Sequence, residues 1–392
     1  MKKTTNILSI VLVLAALAIL VFGRAVQPVY QPVVTVYVTK EVEAPSVSRP
    51  VQNPAPTDEP EPEPEPEPEY FTFSFIGDCT LTSFNGGTDY RNKMGEDYSY
   101  PFKNTVQYFE SDELTIGNLE CTFSDRALYA GADRTFSFRC PTAYVNILLE
   151  GSVEFVNTAN NHFDDFGQNG IDDTLSTLRE AGVAYGEKGS VQIYETKNGI
   201  KVGIYCEPYN NNIKNTEQIT KSSVDAVNQL KEMGAEYIIC AYHWGNEGKY
   251  TVFDSMSTPA HAAVDAGANL IYGSHPHVLL PIEEYNGAVI MYSLGNWSFG
   301  GNTHPSDPDT ALVQVTLKRD VDGTITTEGY KAVPCCVSST FPPNFSNVKA
   351  TDYNDYVPTP YEEGTDNYNR TMSKLDGSFT GADLNIDYSA FH

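Results

Sequence analysis

Hydrophobic positions along this chain recur with two periods. Phe71, Phe73 and Phe75 alternate with Thr72 and Ser74, the two-residue period of a half-buried strand, and the run closes at Gly77-Asp78. Ile171, Leu175 and Leu178 share one face of a helix stopped by Gly182, and Val224, Val227, Leu230 and Met233 repeat that pattern before Gly234. A third helix is predicted to start at Ser257-Thr258-Pro259, a capping residue followed by proline in the first turn, and to stop at Gly267. Short apolar runs lie between them, at 114–116, 154–156, 237–242, 269–272 and 289–292. Strands alternating with helices predict one α/β domain over residues 71–345.

Each strand opens into a polar loop. The loops are Asp78 itself, Gly117-Asn118-Leu119-Glu120, Asn160-Asn161-His162, His243-Trp244-Gly245, Gly273-Ser274-His275-Pro276-His277 and Ser293-Leu294-Gly295-Asn296. Ligands of open α/β sheets bind beyond the carboxyl ends of the strands, so these loops are expected to converge on one crevice.

The two ends of the chain follow other patterns. Met1-Lys2-Lys3 precedes an apolar run from Ile7 to Phe22 broken only by Ser9, a basic start followed by an export segment in residues 1–25. Its 16 residues lie between the core of a signal peptide and the roughly 20 that cross a bilayer. Arg24 makes Gly23-Arg24-Ala25 a poor cleavage site, and Lys2 and Lys3 hold the N-terminus inside, so the expectation is a retained single-pass anchor with the domain on the extracytoplasmic face. Cleavage and secretion is the alternative. Residues 26–70 are rich in proline and glutamate and end in a Glu-Pro repeat, an extended linker between membrane and domain. Residues 346–392 carry Tyr, Asp, Asn and Thr with little apolar period, and are expected to be an irregular tail packed on or near the domain.

Charge narrows the partners. The formal net charge is −26; residues 1–70 hold five basic and nine acidic side chains, which leaves −22 for the remaining 322. So acidic a domain lacks the Lys and Arg patches that bind nucleic acid, and it is compatible with divalent cations. The seven cysteines, Cys79, Cys121, Cys140, Cys206, Cys240, Cys335 and Cys336, are odd in number and show no CxxC spacing; buried free thiols are expected, and no disulfide.

Four of the seven histidines, His162, His243, His275 and His277, follow strands in loops that also hold Asp, Glu or Asn. Imidazole, carboxylate and amide oxygen together suit Mn, Fe or Zn, and a two-metal centre needs about this many ligands with one carboxylate shared. Trp244, Trp297 and Tyr292 stand beside these loops, either as a stacking wall for substrate or as core. Glu247 is a candidate partner that orients His243.

Gly77-Asp78, Gly117-Asn118-Leu119-Glu120, Ala159-Asn160-Asn161-His162, His243-Trp244-Gly245-Asn246-Glu247, Gly273-Ser274-His275-Pro276-His277-Val278 and Tyr292-Ser293-Leu294-Gly295-Asn296 together resemble the CapA-type poly-γ-glutamate capsule-biosynthesis family, in order and spacing, from Phe71 to Pro334. Such proteins are similar to calcineurin-like metallophosphoesterases. The resemblance implies a four-layer α/β/β/α sandwich with one or two metal ions at the strand ends. It implies that Asp78 and His277 bind one ion, that Glu120 bridges, and that Asn161, His243 and His275 bind the second. His162 is the implied catalytic residue acting on the substrate, with Asn118, Asn160, Glu247 and Asn296 behind the ligands or against substrate. The first motif departs from the superfamily's Asp-x-His: here it reads Asp78-Cys79-Thr80, one histidine short. The implied function is hydrolysis, through metal-bound water, of a phosphoester or related bond in an envelope polymer or its phosphorylated precursor, beside capsule-synthesis proteins. A metal-stabilised but non-catalytic polymer-binding or assembly component is the alternative, and a peptidase or amidase a third reading.

Overall fold

The computed structural model describes residues 67–131, 134–207, 215–340 and 353–385. The expected anchor, its alternative cleavage site and most of the Pro/Glu linker lie outside the described residues, as does all of the first of the chain's two units, Met1–Thr35; the second is Val36–His392. Among the described residues no helix is long and apolar enough to cross a membrane.

In chain order the strands are β1 (Glu69–Cys79), β2 (Leu114–Leu119), β3 (Thr122–Phe123), β4 (Arg139–Cys140), β5 (Phe155–Asn157), β6 (Ala184–Gly186), β7 (Val191–Glu195), β8 (Lys201–Cys206), β9 (Tyr237–His243), β10 (Leu270–Ser274), β11 (Ile282–Tyr285), β12 (Ala288–Met291), β13 (Asp309–Arg319), β14 (Ile325–Cys336) and β15 (Thr359–Pro360). The α-helices are α1 (Asp89–Met94), α2 (Val145–Glu150), α3 (Gly167–Ala181), α4 (Thr216–Glu232), α5 (Asp254–Ala266) and α6 (Asp366–Leu375). A seven-stranded sheet runs β15-β14-β13-β1-β2-β5-β6, and a six-stranded sheet runs β11-β12-β10-β9-β8-β7. The stretches β1-β2-β5-β6 and β8-β9-β10-β12 are parallel, so in each sheet the loops named above leave from one edge.

Alternation along the strands places the layers. Phe73, Phe75, Ile116, Phe155 and Val315 of the first sheet share one apolar cluster with Ile204, Ile239, Tyr272 and Met291 of the second, so the sheets face each other. The opposite face of the first sheet, with Ile76, Leu119 and Val156, packs on Ile147 and Leu148 of α2 and Leu178 of α3. The opposite face of the second, with Ile238, Cys240, Ile271 and Ile290, packs on Val227 and Leu230 of α4 and on Met256, Ala260 and Ala263 of α5. The α/β expectation is met, with helices outside two facing sheets.

Four local expectations need correction. β1 begins at Glu69, inside the expected linker, and is buried on both faces because it is central: the phenylalanines face the other sheet and Ile76 faces helices. Asp78 lies within the strand, past a register shift against β2 that begins at Phe75, and its N–H donates to Gly295 O at 2.8 Å. Gly77 permits that approach, since a Cβ there would sit 2.0 Å from Gly295 O. Helix α5 starts at Asp254, because Phe253 O already accepts from Met256 N and Ser257 N; Pro259 therefore falls inside it.

Among the described residues 353–385, the expected irregular tail carries regular elements. β15 pairs with β14, and α6, capped by Thr365, docks through charge: Lys374 Nζ donates to Asp307 at 2.7 and 2.8 Å and to Asp309 at 2.7 Å, while Arg370 Nη2 reaches Asp309 at 2.6 Å. Beside these ion pairs Leu375 and Met372 reach the cluster between the sheets, too few apolar positions to read as a period.

Candidate metal centre

The two parallel sheet edges bring the predicted residues together. Asp78, at the end of β1, is fully buried; Asn118 Nδ2 donates to its Oδ1 at 2.8 Å and the His275 N–H approaches Oδ2 at 3.3 Å. His277 Nδ1 lies 3.2 Å from the same Oδ2 and 2.9 Å from Asn296 Oδ1. Glu120 leaves β2 with its N–H on Cys79 O, and both its carboxylate oxygens are buried without a hydrogen bond. His243 ends β9: its Nε2 lies 2.7 Å from Asn161 Oδ1 and 3.3 Å from Glu120 Oε1, while its Nδ1 meets Ser274 Oγ at 2.9 Å and Asn118 Nδ2 at 3.3 Å.

Ligand atoms lie within 4.8 Å of one another in three sets: Asp78, Glu120 and His277; Glu120, His243 and His275; Glu247, His275 and His277. Glu120 is common to the first two, which is the position of a bridging carboxylate. His275 and His277 reach these sets from left-handed backbone, φ 100° and 55°. Residues other than glycine hold such φ at a cost of about 1–3 kcal/mol each, and such strain clusters at functional sites.

Charge is unbalanced in this cluster. Burial, with the charge of Asp78 added, pushes the Glu120 carboxyl up to about 8. Burial pulls His243 down to about 3 and His275 well below its ordinary value, so both present neutral imidazoles. Burial also acts to lower His277, but Glu120 and Asp78 outweigh it and raise that ring to about 10. A buried carboxylate with two oxygens lacking hydrogen bonds, flanked by neutral imidazoles, fits a divalent cation, and the nitrogen and oxygen donors suit Mn, Fe or Zn.

His162 stands on the cavity side. Its N–H donates to Asn160 Oδ1 at 3.0 Å and its Nδ1 lies 2.9 Å from Asp165 Oδ2. Asn160 Nδ2 in turn holds Leu119 O at 2.7 Å, and Asn160 and Asn157 both donate to Asn118 Oδ1. Arg134 binds this loop from outside, donating to Asn161 O at 2.8 Å and Asp164 Oδ1 at 2.6 Å. Sequence reasoning gave no role to Asn157, Ser274, Asp165 or Arg134. Asp165, three residues past His162, was the one with a readable spacing; Arg134 comes from a remote loop.

The residues flanking these ligands are placed as well. Cys79 Sγ joins the apolar cluster behind the sheet, its thiol pushed up to about 12 by burial, and Thr80 Oγ1 bonds Thr82 O and Gly300 N, so neither completes the first set. Trp244, Trp297 and Tyr292 are buried core; Trp244 stacks on Tyr242 at 4.2 Å. Half-buried Phe84, Phe136 and Phe299, with buried Phe138, line a cavity of about 800 Å³ that also touches His162, Glu247, His277 and Asn296. Glu247 stands with His275 and His277, while Ser274 and Asn118 engage His243 Nδ1.

A family model described as bacterial capsule synthesis protein PGA_cap matches residues 72–300. The capsule biosynthesis protein CapA of Bacillus anthracis is 29% identical over 253 residues, 58% of this chain and 59% of that protein. The PGA biosynthesis protein CapA of Bacillus subtilis strain 168 is 29% identical over 267 residues, 64% of this chain and 68% of that one. The chain thus spans under two thirds of the first relative's length. Among solved structures, Vps29 of Chaetomium thermophilum aligns over 67% of this chain and 94% of that one at 10% identity and a TM-score of 0.25, too slight a likeness to bear on the fold.

Proposed function

The chain belongs to the bacterial capsule synthesis protein family PGA_cap, and on that footing we propose that it is a metal-dependent hydrolase of capsule or poly-γ-glutamate biosynthesis. It acts outside the cytoplasm on a phosphoester or related bond of an envelope polymer or its precursor. The helix–sheet–sheet–helix layering supports a metallophosphoesterase-like reading of the fold, and the basic start with its apolar run supports membrane tethering. One observation carries the enzymatic reading. Both buried Glu120 oxygens lack hydrogen bonds at the point where the Asp78–His277 set meets the His243–His275 set.

Divalent ions held there by Asp78, Glu120, Asn161, His243, His275 and His277 would supply Lewis acidity, activating water and neutralising charge on the reacting centre. The protein's own groups do the rest. Asn118 fixes Asp78, Ser274 orients His243, and Asn296 orients His277. Asp165 holds the Nδ1 side of His162, leaving Nε2 to exchange a proton with the leaving oxygen.

The test uses the full chain produced with Mn, Fe or Zn, assayed for metal by mass spectrometry and for hydrolysis of a generic phosphodiester. The expected result is one or two ions per chain and a rate that falls on chelation and in His162→Ala. Substoichiometric metal in all three preparations, or an undiminished rate in His162→Ala, sinks the enzymatic reading. Stoichiometric metal with no hydrolysis selects the non-catalytic assembly role.

A further inference from the structure

Among the described residues, no lysine or arginine lines the cavity beside the cluster. Of its carboxylates, Asp89 is engaged by Lys93 at 3.1 Å and by the Tyr356 hydroxyl, Asp307 is engaged by Lys374, and Glu247 stands with the histidines. Away from the metal-capable end the described walls are therefore nearly neutral. A polyanion held along its backbone needs Arg or Lys, and a domain this acidic repels one.

What the walls offer is aromatic rings set among amides and hydroxyls. Phe84 and Phe136 lie edge to face with centroids 5.6 Å apart, and Phe138 and Phe299 at 5.7 Å. Phe299 is 4.8 Å from the His277 ring and Phe138 is 4.7 Å from the His162 ring, so the aromatic surface leads to the reacting end. Asn85, Thr88 and Asn302 lie on the same walls. Aliphatic side chains are few among the described lining residues, namely Leu384 and Pro305, which disfavours an acyl chain. A molecule with an apolar C–H face and a hydroxyl-bearing edge matches this alternation. A pyranose ring has that form.

We propose that this cavity is a saccharide subsite, seating a neutral pyranose ring of an envelope glycan so that a substituent on the ring reaches the His162 end. The proposal rests on the hydrolase reading and names the substrate class for the same site.

Saturation-transfer NMR on the full chain tests it, with chitotriose, maltotriose and tri-γ-glutamate as separate probes, in metal-replete and chelated samples. The expected result is transfer to the ring C–H protons of at least one neutral trisaccharide in both samples and none to the glutamate peptide. Binding should weaken about tenfold in Phe84→Ala/Phe136→Ala, the loss of aromatic contact. Phe136→Trp keeps an aromatic face and should report the same saccharide by a fluorescence shift, whether or not the double variant folds. Transfer to neither saccharide, binding undiminished in a folded double variant, or glutamate-peptide transfer abolished by that variant overturns the proposal. Saccharide binding is read without turnover. Failed hydrolysis with intact binding counts against the hydrolase alone, and metal-dependent hydrolysis without binding counts against the subsite alone.

Discussion

Loading a cation onto Asp78, Glu120 and His277 must expel protons, and the number follows from the structure. Without metal, Glu120 titrates at about 8 and His277 at about 10, so at pH 7 both hold a proton; His243, at about 3, and His275, displaced further down, hold none. Binding at pH 7 is therefore expected to release about two protons per centre. The two groups are coupled, since the Glu120 charge is part of what raises His277, so their losses do not add; Glu120 alone, about one unit above pH 7, sets a cost on the order of 1 kcal/mol. Apparent affinity at pH 7 should thus be lower by at least about tenfold than at a pH where both protons are gone. Both groups titrate above their ordinary values, so the sign is fixed: affinity rises with pH. The dependence is steepest where both groups hold their protons and flattens as the coupled pair loses them. Calorimetry with Mn in buffers of different ionisation enthalpy counts the protons, and competition with a fluorescent chelator follows the affinity. Glu120→Gln should remove one proton from the count and weaken binding. Binding without proton release, or with affinity flat between about pH 6.5 and 8, would show that the cation is held elsewhere.

Other outcomes can be checked as directly. Lys374→Met leaves Asp307 and Asp309 buried with one partner fewer, and should cost about 3–5 kcal/mol, read as a fall in melting temperature of about 10 °C, with partial recovery in Lys374→Met/Asp307→Asn. His162→Ala should lower kcat by about 10²–10⁴-fold if it carries the proton. Asp165→Asn, which disturbs the support at Nδ1 together with the Asp165 contacts to the Phe138 N–H and Arg134, should lower kcat by less and leave metal content unchanged. All seven cysteines are buried and unpaired, so a thiol reagent should find none in the native chain and seven after denaturation; fewer after denaturation would reveal a disulfide.

Legibility of the sequence divided along physical lines. Helix stops and parallel strands could be read because glycine caps and apolar runs act locally: Gly182 at φ 78° and Gly267 at φ 113° stand at their expected helix ends. The site residues sat at strand ends, where backbone polarity changes abruptly, and the fold brings them within a few ångströms. The second ring of contacts could not be read. Ser274 and Arg134 act through distances between remote segments, and the aromatic cavity wall comes from Phe84, Phe136, Phe138 and Phe299, which no short-range pattern connects. For Trp244 and Trp297 the sequence leaves wall and core both open, because proximity along the chain to a site loop says nothing about which face of the sheet a ring occupies. The α6 dock escaped because its partners are charged.

The candidate ligands are divided between the layers: Asp78, Glu120 and Asn161 come from the seven-stranded sheet, and His243, His275 and His277 from the six-stranded one. A cation shared between them acts as a rivet through the middle of the molecule. Separating the layers, a step toward unfolding, would first require that rivet to be released, so occupancy should lengthen the folded lifetime as well as shift the equilibrium. In the proposed setting outside the cell, among proteases, that persistence would make the ion useful even between turnovers.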